Sequence, residues 1–293
     1  MSVLHKAVEL GCTFFDTADT YGNNHNEELL AQFLKQHNSD IKIATKCGII
    51  RSPGKYQRRI DNTPTYIRQA CENSLRRLDV ECIDLYYIHR LDPNAEIEST
   101  MKILSDLVAE GKIAHIGLSE VNATTLRKAN AVHSVTAVQT EYSLWTRDVE
   151  ADILPTYREL HIGFVPYLPL GRGFLTGRFS AENTFDDSDA RQSLPRFTPE
   201  NLKANRPLSE VVVQLAKIKT CTPAQIALAW LLAQGNDIVP IPGTKKITYL
   251  EDNLSATNII LTQTDLTEIS LAIENFQPVG QRYTDEGMKG VNA

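Results

Sequence analysis

The feature that most constrains this chain is an alternation, sustained along almost its whole length, of short apolar runs with longer amphipathic stretches. The runs are Thr13-Phe14-Phe15, Ile41-Lys42-Ile43-Ala44, Ile83 to Ile88, Ile113 to Leu118, Ala137-Val138-Gln139, Gly163 to Tyr167 and Asp237 to Ile241. Between them, Asn26 to Gln36 sets Leu29, Leu30, Phe33 and Leu34 on one helical face, with Glu27, Glu28 and Lys35 turned away. Thr65 to Leu78 repeats the pattern with Ile67, Ala70, Cys71, Leu75 and Leu78. Strands joined by helical crossovers are parallel and covered on both faces. The succession predicts an α/β fold, a (β/α)8 TIM barrel rather than two doubly wound domains. The chain opens in a helix, Leu4 to Leu10, that such a pattern places after a strand, so the first barrel strand is expected to be missing.

No Gly/Ser-rich or Pro-rich linker divides the chain, so residues 1–293 read as a single domain. The longest irregular stretch runs from about Phe179 to Pro207 and reads as a substrate-side loop. A net charge of -6 gives no broad attraction for nucleic acid or an anionic membrane. With no long apolar span and no signal-peptide pattern at the start, a cytoplasmic protein with small-molecule partners is expected. The five cysteines form no C-x-x-C pair and read as reduced thiols, with Cys12 and Cys82 in apolar surroundings and expected in the core.

Reactive groups of a parallel barrel gather at the carboxyl ends of its strands. Asp16 closes the first run, Tyr21 follows in the loop, Lys46 closes the second and His89 the third. Taken alone, each has a plainer reading: a helix cap for Asp16, loop packing for Tyr21, a solvated Lys46, a structural His89. Together they suit proton delivery to a carbonyl oxygen. A tyrosine hydroxyl titrates near 10, and a neighbouring ammonium favours its phenolate. Asp16 would balance the Lys46 charge and His89 would orient the carbonyl. Arg51, Arg58 and Arg59 hint at an anionic substrate, though solvated surface charge accounts for them more simply. A metal-dependent barrel hydrolase is the weaker alternative, because His115 and His161 do not fall at strand ends.

These stretches resemble the aldo-keto reductases. Phe14 to Gly22 followed by Asn26-Glu27-Glu28-Leu29-Leu30 is similar to the family's first signature. Ala44-Thr45-Lys46 and Tyr87 to Pro93 are similar to the next two. Gln139 to Trp145 and Tyr167 to Gly177 resemble the branch that reduces small aldehydes and quinones. The resemblance implies an NADPH-dependent reductase of aldehydes and ketones, with a tetrad of Asp16, Tyr21, Lys46 and His89 and with Tyr21 as the acid. It implies further that Ser119 and Gln139 hold the nicotinamide amide, that Tyr167 stacks on its ring, and that Leu170, Gly171 and Arg172 line the pyrophosphate.

No G-x-G-x-x-G opens a helix, so a Rossmann site is not expected. The turn Ile241 to Lys245 before a helix from about Ile247 to Ser255 offers the materials of a phosphate site. The resemblance assigns Gly243, Thr244 and Lys245 to the 2′-phosphate of NADPH, and Asp252 and Asn253 to adenine. Asp252-Asn253 stands where the family more often has Glu-Asn, and Glu120 where it often has Asn. Members usually begin with an additional hairpin and first strand. An alternative within the same resemblance is a cofactor-binding protein of weak activity, which intact Tyr21 and Lys46 do not favour.

Overall fold

The computed structural model describes residues 1–37, 41–51, 58–187 and 189–293. Six strands form one parallel sheet: β1 (Phe14–Asp16), β2 (Lys42–Cys47), β5 (Ile83–Ile88), β6 (Ile113–Ser119), β7 (Ala137–Glu141) and β8 (Gly163–Tyr167) in that order. A small antiparallel pair, β3 (Ile49–Arg51) and β4 (Arg58–Ile60), follows β2. The helices are α1 (Ser2–Glu9), α2 (His25–Leu34), α3 (Pro64–Leu78), α4 (Ile97–Ala109), α5 (Ala123–Val132), α6 (Ile153–Glu159), α7 (Pro199–Ile218), α8 (Pro223–Leu232), α9 (Ile247–Ser255), α10 (Gln263–Ile273) and α11 (Asp285–Met288). This is the α/β architecture of the (β/α)8 barrel class, with β1 at one edge of the sheet.

The chain divides into two compact units. Residues 1–140, 150–165 and 290–293 make the first, which holds the sheet apart from Glu141, Pro166 and Tyr167. Residues 141–149 and 166–289 make the second, which carries α7 to α11.

In the first unit β2, β5 and β7 are buried along most of their length, because helices cover them, whereas β1 is half-buried throughout; β2 is shut off from Ile43 to Cys47 and β7 throughout. Helix α3 begins where Thr63 caps it by accepting from the Tyr66 amide, with Pro64 at the first position. It ends at Asp79 in the left-handed conformation. Its inward face is Ile67, Ala70, Cys71, Ser74 and Leu78, close to the periodicity in the sequence. Strands β5 and β6 approach closely at Gly117, where a β-carbon would stand 2.3 Å from the Tyr87 ring; only glycine fits there.

Three expectations are corrected, two of them in the second unit. Asp237 to Ile241 does not form a regular strand. Ile238 makes a single bridge and the Ile241 amide donates to the Pro166 carbonyl at 3.2 Å, while Pro240 and Pro242 remove the donors a ladder needs. The irregular stretch ends earlier than Pro207: two short 3-10 turns at Ala190–Ser193 and Pro195–Phe197 lead into α7, which begins at Pro199 and contains Pro207. Proline suits a first helical position, and Thr198 caps the helix by accepting from Asn201. Third, in the first unit, the two thiols expected in the core, Cys12 and Cys82, lie outside it. Cys82 is exposed and Cys12 half-buried, whereas Cys47 and Cys71 are buried. Cys12 and Cys82 sit in irregular segments just ahead of strands; Cys47 closes β2 and Cys71 lies on the inner face of α3.

Candidate active site

The carboxyl ends of β1, β2 and β5 bring Asp16, Lys46 and His89 together in the first unit. Parallel pairing sets Asp16 opposite Ala44 and Lys46 opposite Tyr87. Pairing continues past the formal strand ends: the Thr17 amide donates to Ala44 at 2.8 Å and the His89 amide to Cys47 at 2.7 Å. Tyr21 lies in the loop after β1, pinned by Asp19, whose amide donates to the Lys46 carbonyl at 3.1 Å. The loop reverses through Gly22, Asn23 and Asn24, all with positive φ, a conformation glycine and asparagine tolerate best. Asn24 Nδ2 closes it by donating to the Asp19 carbonyl at 2.6 Å.

Lys46 is completely buried. Its Nζ is ion-paired and hydrogen-bonded to Asp16 Oδ1 and donates to the Thr17 carbonyl at 2.7 Å. Burial works against its charge, but the charges and hydrogen bonds of Asp16 and Tyr21 prevail and hold its pKa above the ordinary lysine value. The same ammonium stands 5.2 Å from the centre of the Tyr21 ring. Tyr21 is 41% exposed, so its phenol meets both solvent and the buried cation. The His89 ring meets it edge to face, with centres 5.9 Å apart.

His89 is half-buried, but its Nδ1 is shut off from solvent and has no hydrogen-bond partner. Burial first, then the positive charges of Arg90, Lys46, Arg51 and Arg58, hold its pKa well below the usual imidazole value. The imidazole is therefore neutral at physiological pH and offers one donor and one acceptor.

Ser119 and Gln139 stand in register on β6 and β7, both buried. Gln139 Nε2 donates to Asp16 Oδ2 at 2.8 Å, which leaves its carbonyl oxygen to accept. Ser119 Oγ accepts from Arg90 at 3.1 Å, which leaves its hydroxyl proton to donate. Acceptor and donor side by side match a primary carboxamide such as that of nicotinamide. The links from Gln139 to Asp16 and from Arg90 to Ser119 were not foreseen, because they join residues far apart in sequence.

The remaining predicted residues lie in the second unit. Tyr167 is half-buried and its hydroxyl shares a hydrogen bond with Tyr283 at 3.0 Å. Leu170 leads into Gly171, Arg172 and Gly173, three successive residues with positive φ. Successive left-handed residues make a concave backbone of the kind that accepts anions. Gly243 and Lys245 are exposed, and Thr244 Oγ1 accepts from the Lys246 amide at 3.1 Å just before α9. Asn253 is buried on α9. Asp252 accepts from the Thr222 hydroxyl at 2.9 Å, so its carboxylate is engaged by the residue that caps α8. Arg178 was not singled out in the sequence, yet it donates to Tyr249 Oη on α9 at 2.5 Å. Among the described residues no group of three or more His, Cys, Asp or Glu is placed to hold a metal ion. No described helix is long and apolar enough to cross a membrane.

The first unit thus gathers a buried lysine–carboxylate pair, a tyrosine and a neutral histidine around the carboxyl ends of its parallel strands. The chain belongs to the aldo/keto reductase family, whose model matches residues 1–274. It is 50% identical over 284 residues to a probable aldo-keto reductase of Glycine max, covering 97% of this chain and 82% of that protein. Among solved structures it resembles the glycerol dehydrogenase of Gluconobacter oxydans, with a TM-score of 0.87 at 28% identity, over 95% of this chain and 86% of the other. A thermostable aldo-keto reductase solved with the inhibitor epalrestat matches with a TM-score of 0.72 at 27% identity, over 92% and 86% of the two chains.

Proposed function

We propose that this protein reduces small aldehydes and ketones to alcohols using NADPH, with Tyr21 as the proton donor, and that its two units act as one functional domain in the cytoplasm. The observation that carries the reading is the placement of Tyr21 against the buried Lys46 ammonium and the His89 ring. The bound cofactor would supply the hydride. Ser119 and Gln139 are suited to hold its carboxamide, and Tyr167 to stack on its ring. Leu170, Gly171 and Arg172 are suited to its pyrophosphate; Gly243, Thr244 and Lys245 to its 2′-phosphate; and Asp252 and Asn253 to its adenine.

The chain's own work is to place and protonate the carbonyl. His89, neutral, donates to the carbonyl oxygen and holds it near Tyr21. As the carbonyl carbon gains hydride, the C=O π pair moves to oxygen, and the Tyr21 hydroxyl gives that oxygen a proton. The negative charge left on Tyr21 Oη is stabilised by Lys46, whose ammonium Asp16 holds in place. Solvent restores the phenolic proton, which a tyrosine 41% exposed allows.

The test is Tyr21→Phe. Deleting one hydroxyl at a half-exposed ring leaves the fold intact, and NADPH oxidation with an aldehyde should fall by about 100-fold or more while cofactor affinity is kept. Undiminished turnover would overturn Tyr21 as the donor. Full loss of cofactor binding would point to a structural defect instead.

A further inference from the structure

Residues 279–283 run along the second unit, held by side chains rather than by pairing in a sheet. The Val279 amide donates to Asn205 Oδ1 at 2.9 Å, and its carbonyl accepts from Asn205 Nδ2 at 2.9 Å. Asn205 is fully buried on α7, so its carboxamide clasps the chain as a neighbouring strand would. Arg196, also buried, donates from Nε to the Gly280 carbonyl at 3.2 Å and from Nη1 to Thr146 Oγ1 at 2.6 Å. Gly280 has a φ of +88°, and a β-carbon there would stand 3.1 Å from the Arg196 amide nitrogen, so the chain passes this close only as glycine. On the far side, a β-carbon on Gly287 in α11 would stand 2.6 Å from Tyr283 Cβ, so the base of Tyr283 is gripped as well.

This anchoring delivers one side chain to two others. Tyr283 Oη shares a hydrogen bond with Tyr167 Oη at 3.0 Å, across 116 residues of sequence. The guanidinium of Arg172 lies over the Tyr283 ring, 5.1 Å from its centre, a cation–π contact. Arg172 is the non-glycine among three successive residues with positive φ, a conformation an arginine keeps only where its surroundings hold it. Arg191 Nη1 donates to the Arg172 carbonyl at 3.1 Å, and Tyr283 holds the charged end.

We infer that Tyr283 is a positioning residue for the cofactor: its hydroxyl fixes the Tyr167 ring for the nicotinamide, and its ring fixes Arg172 for the pyrophosphate. The inference rests on the cofactor contacts proposed above for Tyr167 and Arg172. Tyr283 moves no proton and acts through those two side chains. Its two roles sit on different atoms and can be removed separately, the hydroxyl alone by phenylalanine and the ring with it by leucine.

The experiment titrates two ligands by calorimetry, NADPH and 2′-phospho-ADP-ribose, which keeps the phosphates and lacks the nicotinamide. Tyr283→Phe should raise Kd for NADPH by about fivefold, the worth of one hydrogen bond, and leave Kd for the fragment within about twofold. Tyr167→Phe should match it, and the double variant Tyr167→Phe/Tyr283→Phe should be no worse than either alone. Tyr283→Leu should raise Kd for the fragment by about fivefold as well. Wild-type affinities in Tyr283→Phe, equal losses for both ligands in that variant, additive losses in the double variant, or an unaltered fragment affinity in Tyr283→Leu would each overturn the role. The phenylalanine variants remove only hydroxyls, so if Tyr283→Leu fails to fold, the cycle of Tyr167 and Tyr283 still decides. NADPH oxidation with an aldehyde is followed alongside. The binding pattern without turnover means that the reductase reading fails and the positioning role stands, whereas turnover without the pattern sinks the role alone. A wild type that binds no NADPH overturns both.

Discussion

Lys46 and Lys245 carry the same side chain into opposite surroundings. Lys46 is wholly buried and anchored to Asp16 and to the Thr17 carbonyl, within a sheet whose neighbouring strands set each partner's height. Lys245 is exposed in the turn before α9, beside exposed Gly243. A buried ion pair depends on both partners, since removing one strands the other's charge away from water. An exposed lysine can be replaced at little cost to the fold and contributes when a ligand arrives. The first region is held by its own partners; the second, in the function proposed above, awaits the cofactor's 2′-phosphate.

The sharpest way to break this contrast is Lys46→Met. Asp16 would keep a carboxylate with no ammonium beside it, so stability should drop by about 3–5 kcal/mol. Turnover in the folded fraction should fall by at least about 100-fold. Urea unfolding and NADPH oxidation measure the two, and a variant of normal stability would mean that the pair is not held as the structure shows.

Asp19 tests the same region through pH. Burial first, and the Glu27 charge second, push its carboxyl up to about 7, while Tyr66 Oη donates to Oδ2 at 3.4 Å and Oδ1 is buried with no partner. Because the folded state favours the protonated acid, this group's contribution is fully favourable below about pH 4. It is lost as the pH climbs from there to about 7. Asp19→Asn cannot ionise and should flatten the fall of stability over that window, by up to about 4 kcal/mol. Denaturation midpoints at pH 4, 6 and 8 show it. An unchanged pH profile would mean that Asp19 ionises in the fold as it does in water.

The smallest effect is expected at Lys245→Ala. Stability should change by less than about 0.5 kcal/mol, whereas KM for NADPH should rise by about tenfold and KM for NADH hardly at all. Equal changes for both cofactors would remove the 2′-phosphate from its role.

Much of the first unit was legible in the sequence. The runs at 13–15, 41–44, 83–88 and 113–118 each fall on a strand, and the amphipathic stretches at 26–36 and 65–78 each on a helix, within a few residues at the ends, because strand and helix periodicities are local properties of adjacent residues. Placing Asp16, Lys46 and His89 at strand ends was equally accessible. The second unit was harder. Pro199 and Pro207 fell within the stretch expected to be irregular, yet α7 runs from one through the other, since a helix tolerates proline at its start and can be carried past a second by packing of Leu202, Leu208 and Val212. Apolar composition at 237–241 suggested a strand, but prolines removed the donors.

By itself the sequence determined the order of elements and the types of residue at the rim, because those follow from hydrophobic period and from what closes each apolar run. Tertiary structure alone decided which of those residues are charged, buried or partnered. Parallel register brings Gln139 to Asp16 and Arg90 to Ser119 across long sequence separations. Hairpin pairing sorts Arg51 and Arg58 from Arg59, although the three look alike along the chain. Burial, finally, makes His89 neutral and leaves Asp19 protonated up to about pH 7. Ionisation depends on desolvation and on charges brought close by folding, neither of which is a property of neighbouring letters.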